Sequence, residues 1–263
     1  MPTIAQVTAA LEAIAPLALA ADWDAVGLLV GPRSDGISRV MTCLSLTPET
    51  AAEAVRERVD LVVAHHPLPF RPVPRITGDT ATGRVLLQLI GAGVGVWSSH
   101  TAWDSAAGGI NDQLAALLGL EHVAPLEHSP LHPLAGFGRA GTAGAGWSVG
   151  RLARHAADRL GGGGAQLSGD AARPAGRVGI VCGSGGDAVA TAAAAGCDTF
   201  LTGEIRLHDA LHARALGMAV IAVGHHASER FSLDALARRL AEAVAGLSCW
   251  ASRDETDPLP WLA

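Results

Sequence analysis

Short runs of apolar residues alternate along this chain with longer stretches whose apolar positions recur every three or four residues. Residues 40–46 (VMTCLSL), 59–64 (VDLVVA) and 94–99 (VGVWSS) are of the first kind; 48–58 (PETAAEAVRER) and 83–93 (GRVLLQLIGAG) are of the second. Continuous apolar runs of this length predict buried strands, and the longer period predicts helices. Strands separated by helices predict an α/β fold with parallel pairing. Ahead of the first strand, Ile4, Val7, Leu11 and Ile14 share one helical face behind Thr3, which predicts an amphipathic helix with a threonine N-cap. From Arg177 the alternation resumes, with strands expected at 177–183, 197–203 and 218–224 and helices at 186–196, 204–217 and 232–246. The stretch between is different. Residues 121–176 are rich in Pro, Gly and His, with one helical pattern at 148–160, and the four glycines 161–164 read as a flexible loop or linker.

The two alternating regions repeat each other. Residues 39–66 slide onto 177–204 without a gap, setting Arg39-Val40 on Arg177-Val178, Ala52 and Ala54 on Ala190 and Ala192, and Asp60 on Asp198. Each region then ends a third strand in a histidine with a carboxylate four residues on: His100 and Asp104 in the first, His225 and Glu229 in the second. A duplicated α/β unit is therefore expected, organised as a first half (1–125), a middle segment with the Gly-rich linker (126–176) and a second half (177–263).

Composition narrows the function classes. Of 263 residues 49% are hydrophobic and 17% charged, which argues against a disordered chain. Net charge is −6 and every basic side chain is an arginine, with no basic stripe, so nucleic acid is not an expected partner. Cys43, Cys182, Cys197 and Cys249 are scattered without a C-x-x-C pair, which argues against a cysteine zinc site or a disulfide framework and fits a reducing, cytoplasmic setting. The N-terminus lacks a basic leader, and Asp198 interrupts the alanine-rich stretch 189–201, so no membrane association is expected.

The candidate chemistry lies at strand ends. His65, His66, His100, Asp104, His225 and Glu229 each fall at or just beyond the C-terminal end of an expected strand, where open α/β sheets build their sites. If the turn at Gly224 opens a helix, His225 and Glu229 project from one face, and the same holds for His100 and Asp104. Imidazole with carboxylate suits Zn²⁺, Mn²⁺, Fe²⁺, Co²⁺ or Ni²⁺ without distinguishing them. Adjacent strand residues point to opposite faces, so His65 and His66, with Pro67 fixing the exit, serve two ions more easily than one. That favours a dinuclear site with two divalent ions per chain, Glu229 or Asp104 as a bridge, and bridging hydroxide as nucleophile. His100 is then a general acid/base or a further ligand. No cysteine accompanies this set, and His122, His128, His132, His155 and His212 receive no role. Among lesser features, residues 182–187 read as a plain tight turn rather than a phosphate cradle. Glu204 with His208 reads as support for the ligands, as a solvated helix face or as helix N-terminal capping. Trp23 and Asp24 read as a cavity wall or a buried aromatic anchor. The terminal DETDPLPWLA (254–263) reads as a docking or fraying segment.

Six stretches together resemble one family: WDAVGLLVG (23–31), DLVVAHHPLPF (60–70), SSHTAWDSAAGGIND (98–112), GSGG (183–186), LTGE (201–204) and GHHASE (224–229). They are similar, in order and over nearly the whole chain, to the NIF-three-like proteins, also called the GTP cyclohydrolase I type 2 or dinuclear metal-centre hexamer family. The resemblance implies that His65, His66, Asp104, His225 and Glu229 fall on metal-ligand positions and His100 on a histidine beside the metals. It implies two similar, intertwined α/β halves with mixed sheets flanked by helices and the metal site between them. It further implies the compact form without the large inserted domain, and a toroidal homohexamer. One position departs: where the family carries an aspartate in an LD-x-T stretch, LSLT places Ser45, which cannot supply a negative charge. The expected function is a dinuclear metal-dependent hydrolase acting on a small molecule. The alternative is a non-catalytic metal-binding, metal-delivery or scaffold protein.

Overall fold

A computed structural model describes residues 1–161 and 163–261, and every structural statement below is of these residues. The chain forms two compact units, one of Met1–Trp103 with Ser232–Thr256, the other of Asp104–Phe231 with the described residues from Asp257 onward.

The first unit opens with α1 (Ile4–Ile14), where Thr3 and Gln6 cap each other reciprocally and Val7, Leu11 and Ile14 are buried. Strands β1 (Gly27–Val30) and β2 (Arg39–Cys43), helix α2 (Pro48–Arg56), β3 (Leu61–Ala64), α3 (Ala81–Ala92) and β4 (Gly95–Ser98) follow. Thr47 caps α2 with Pro48 in its first turn, the place where a missing N–H costs nothing. β2, β3 and β4 are parallel neighbours, β1 lies antiparallel on β4, and the late strand Ser248–Ala251 returns to lie parallel on β2. All four residues of β3 are buried, which is why its sequence runs apolar without alternating. Met41, Val62, Val85, Leu89 and Val96 form the core beneath α2 and α3.

The second unit begins within α4 (His100–Ser105) and continues through α5 (Ile110–Leu117), β5 (Glu121–Ala124), β6 (Glu127–His128), β7 (Gly136–Phe137), β8 (Arg139–Thr142), α6 (Val149–Leu160) and β9 (Gln166–Ser168). It then runs β10 (Arg177–Ser184), α7 (Val189–Ala194), β11 (Thr199–Glu204), α8 (Leu207–Ala215), β12 (Ala219–Ala222) and α9 (His225–Arg230). Its main sheet has the order β5-β8-β10-β11-β12-β9, with β10, β11 and β12 parallel and β9 antiparallel on β12. The chain closes with α10 (Leu233–Ala243) and β13 (Ser248–Ala251), both in the first unit.

The duplication is visible in the hydrogen bonds. Val40 stands opposite Leu61 and Val178 opposite Thr199, the same pairs that the gapless alignment superimposes. Asp60 Oδ2 accepts the Arg39 N–H at 2.9 Å, and Asp198 Oδ2 accepts the Arg177 N–H at 2.9 Å. In both units an antiparallel strand, β1 or β9, covers the third parallel strand. The other edge differs: β13 is parallel to β2, whereas β8 is antiparallel to β10.

Residues 121–176 hold more structure than their composition predicts, with five short strands, β5 to β9, beside α6. Strands of two to four residues carry too little alternation to stand out from their turn residues. Of the four glycines, Gly161 ends α6 in the left-handed region and Gly163 and Gly164 lie against the Trp261 ring, while Gly162 is outside the described residues. No helix among the described residues is long and apolar enough to cross a membrane.

Candidate metal-binding groups

In the first unit, the backbone ladder carries His65 and His66 past the end of β3: their N–H groups donate to Cys43 and Leu44 carbonyls, each at 2.8 Å. His100 opens α4 with a φ of +25°, a conformation costly for a side chain with a Cβ. The three imidazoles converge, with ring centroids 5.0 Å (His65–His66), 5.1 Å (His65–His100) and 5.5 Å (His66–His100) apart. One ring nitrogen from each lies within 4.8 Å of the others, close enough to hold a metal ion. His65 is 2% exposed, so its two ring nitrogens are kept from bulk water, an environment a bound cation would offset.

Two neighbours orient these rings. Asp24, from the WDAVG stretch, places Oδ1 2.8 Å from His100 Nδ1 and accepts the Thr101 hydroxyl at 2.5 Å and its N–H at 3.1 Å with Oδ2. Burial pushes this carboxyl up, but the hydrogen bonds from His100 and Thr101 together outweigh it and hold the carboxyl below its ordinary value. Asp24 therefore buttresses a histidine. Trp23 is not a buried anchor: it is 65% exposed, its ring edge-on to His100 with centroids 5.9 Å apart. The second neighbour is Ser45, whose Oγ lies 2.8 Å from His66 Nδ1.

The second unit presents imidazole and carboxylate on one short helix. α9 starts directly after β12, and His225 Nε2 lies 3.2 Å from Glu229 Oε2 one turn later. Glu204, at the end of β11, places Oε1 3.1 Å from His225 Nδ1. The Glu229 hydrogen bond, against the opposing effect of burial and with help from Glu204, pushes His225 up to about 9. Glu204 thus contacts a proposed ligand, while His208 is exposed. Glu229 is 3% exposed and fits against β10 because residue 183 is a glycine: a Cβ there would stand 2.2 Å from Glu229 Oε1, at a φ of +62°. The Gly183 and Gly185 N–H groups are taken by Ser228 Oγ and Thr202 Oγ1, as a plain turn requires.

Asp104 has a partner that its spacing along the chain does not reveal. A cysteine does accompany the acidic residues: the Cys182 thiol donates to Asp104 Oδ1 at 3.3 Å. Burial, then the charges of Asp104 and Glu229, push this thiol well above its ordinary value, so it stays a protonated donor. Asn111 fixes the pair, donating to the Asp104 carbonyl at 3.1 Å and accepting the Cys182 N–H at 2.9 Å. Nothing in the spacing of the cysteines marks Cys182, because only the fold of β10 brings it to Asp104. Arg139 is equally hidden in the sequence. It is 1% exposed, ion-paired to Asp112, and donates to the carbonyls of Ala106, Gly136 and Gly138, bracing the loop after Asp104.

The chain is similar to known proteins over nearly all of its length. The sequence model of the family described as Duf34/NIF3 (NGG1p interacting factor 3) matches residues 2–258. A Clostridium perfringens protein named GTP cyclohydrolase 1 type 2 homolog is 31% identical over 253 residues, covering 96% of this chain and 97% of its own. A protein of the same name from Streptomyces coelicolor is 36% identical over 234 residues, 87% of this chain and 82% of the relative. Among solved structures, a Bacillus cereus protein related to NIF3 superimposes with a TM-score of 0.92 at 21% identity, covering 99% of both chains, and shows the shared fold. Matched by the family model along nearly all of its length, and by relatives covered almost as fully, this chain is a member of the Duf34/NIF3 family.

Proposed function

We propose that the chain binds two divalent metal ions through two donor groups and hydrolyses a small-molecule substrate. The ligands are His65 and His66 in the first unit and Asp104, His225 and Glu229 in the second. The observation that carries this reading is the convergence of three imidazoles, one of them fully buried, within 4.8 Å. The donor set of imidazole and carboxylate fits borderline divalent ions of the Zn²⁺, Mn²⁺ and Fe²⁺ kind. Ions of this kind supply Lewis acidity, acidifying water and polarising an electrophilic carbon or phosphorus.

The chain's own residues have distinct tasks. Asp24 holds the His100 proton on Nδ1, which leaves the Nε2 lone pair to take a proton from water or substrate and return it to the leaving group. Glu204 acts likewise on His225 Nδ1, and Ser45 on His66 Nδ1. The Cys182 thiol donates to Asp104 Oδ1 and fixes that carboxylate. The relatives' name makes GTP the first substrate to test, followed by other nucleotides, phosphoesters and cyclic amides. A homohexamer is part of the proposal, and light scattering tests it: a mass of six chains supports it, and one of two or three overturns it.

The test of function is turnover with metal supplied, comparing the wild-type chain with His100→Gln. Hydrolysis of any of these substrates, lowered at least a hundredfold in the variant, is the expected result. Ready transfer of the ions to a modest chelator, with no turnover on any of them, would make this a metal-delivery protein and overturn the hydrolase reading.

A further inference from the structure

The turn between β2 and α2 is held from an unexpected direction. Its consecutive Leu44 and Ser45 N–H groups both donate to one oxygen, Oε1 of Glu255, at 2.8 and 2.9 Å. The Ser45 carbonyl accepts the Thr50 hydroxyl at 3.0 Å, and Ser45 Oγ lies 2.8 Å from His66 Nδ1. Three of the polar groups of Ser45 are thus engaged, and the last one touches an imidazole of the histidine group.

Glu255 arrives from beyond β13, and a second carboxylate brings it there. Glu53 on α2 is fully buried and accepts the Ser252 hydroxyl, the Arg253 N–H at 3.0 Å and the Asp254 N–H at 3.1 Å. Arg56 on the same helix pairs with Asp254 at 2.9 Å. These bonds fasten residues 252–254 to α2 and set the next side chain under the turn. Two backbone N–H groups aimed at one oxygen form an anion-binding concavity, so a carboxylate is favoured at this place over a neutral group.

We propose that Glu255 is a positioning residue for His66, acting through Ser45. It fixes the turn so that Ser45 Oγ accepts the Nδ1 proton and the His66 lone pair is left on Nε2. A residue at position 45 with no charge of its own is then served by a carboxylate from the far end of the chain. The value of this tautomer rests on the reading of His66 as a metal ligand; the tautomer itself does not.

The test uses the full chain with Glu255→Ala, Glu255→Gln, Ser45→Ala and the double variant Glu255→Ala/Ser45→Ala. In metal-free protein, the ring ¹⁵N shifts of His66 report which nitrogen carries the proton. Wild type and Glu255→Gln, which keeps an acceptor, should show the proton on Nδ1; Glu255→Ala and Ser45→Ala should show a mixture. In a Co²⁺ titration each of these two should weaken binding about tenfold or more. The double variant should be no weaker than Ser45→Ala, since one residue acts through the other. A wild-type tautomer in Glu255→Ala, or losses that multiply in the double variant, would overturn the proposal. If Glu255→Ala does not fold, Glu255→Asp, which withdraws the oxygen by one methylene, takes its place with the same two outcomes. Should wild type bind no Co²⁺, the proposed function fails, while the His66 shifts still decide the role of Glu255.

Discussion

Replacing Asp24 with asparagine separates the two jobs of one carboxylate. Its side chain has no exposed surface and accepts three hydrogen bonds, from His100 Nδ1 at 2.8 Å and from the Thr101 hydroxyl and N–H at 2.5 and 3.1 Å. Asparagine keeps the shape and one acceptor oxygen, so the Thr101 bonds survive in a weaker, neutral form. On the His100 side the amide is a donor, so the ring must turn its lone pair to Nδ1 and carry its proton on Nε2. Losing one charge-assisted bond and weakening two others costs about 2–3 kcal/mol. Urea unfolding at pH 7 should show that deficit as a lower midpoint with an unchanged slope. The pH dependence has a definite sign. The folded carboxyl lies below its ordinary 3.8, so its contribution is fully present above that value and is lost as pH falls through the folded pKa. The two stability curves should therefore converge in acid. A deficit under about 0.5 kcal/mol at pH 7, or one that stays constant into acid, would rule out this role for the Asp24 charge.

Other consequences follow from single contacts. His225 is raised from 6.5 to about 9, so in metal-free protein its contribution is full below pH 6.5 and lost as pH rises through 9. Because its ring is 34% exposed, the loss should be only about 1–2 kcal/mol, read as a falling urea midpoint that His225→Gln flattens. Asp112→Asn leaves the buried Arg139 guanidinium without its opposite charge, and thermal unfolding should report about 3 kcal/mol of destabilisation. Gly183→Ala sets a methyl against Glu229 Oε1 in a left-handed backbone; it should lower Co²⁺ affinity at least tenfold, checked by titration.

The alternation of strands and helices was legible because β3 and its neighbours are buried on both faces and run apolar without interruption. The repeat was legible in Asp60 and Asp198, which bind the start of the preceding parallel strand in the same way in each unit. Strands β5 to β9 were not, being short and rich in turn residues. The return of β13 to β2 was hidden for another reason: Ser-Cys-Trp-Ala carries no signal of its partner, which lies some two hundred residues earlier. The convergence of His65, His66 and His100, and the pairing of His225 with Glu229, could be anticipated from strand ends and helical spacing. Of their supports only Glu204 could, from its spacing with His208 beside the expected ligands. Asp24 and Cys182 reach His100 and Asp104, and Glu255 reaches the turn beside His66, through tertiary contacts that no local spacing marks.

Every ligand role assigned to these histidines and carboxylates rests on metal binding, which elemental analysis of untagged protein, purified without added metal and expressed as ions per chain, measures. About two ions per chain with one element dominant are expected, and incomplete loading in His66→Ala and in Glu229→Ala. A value close to zero that persists after incubation with Mn²⁺, Zn²⁺ and Fe²⁺, or full loading in either variant, would contradict it.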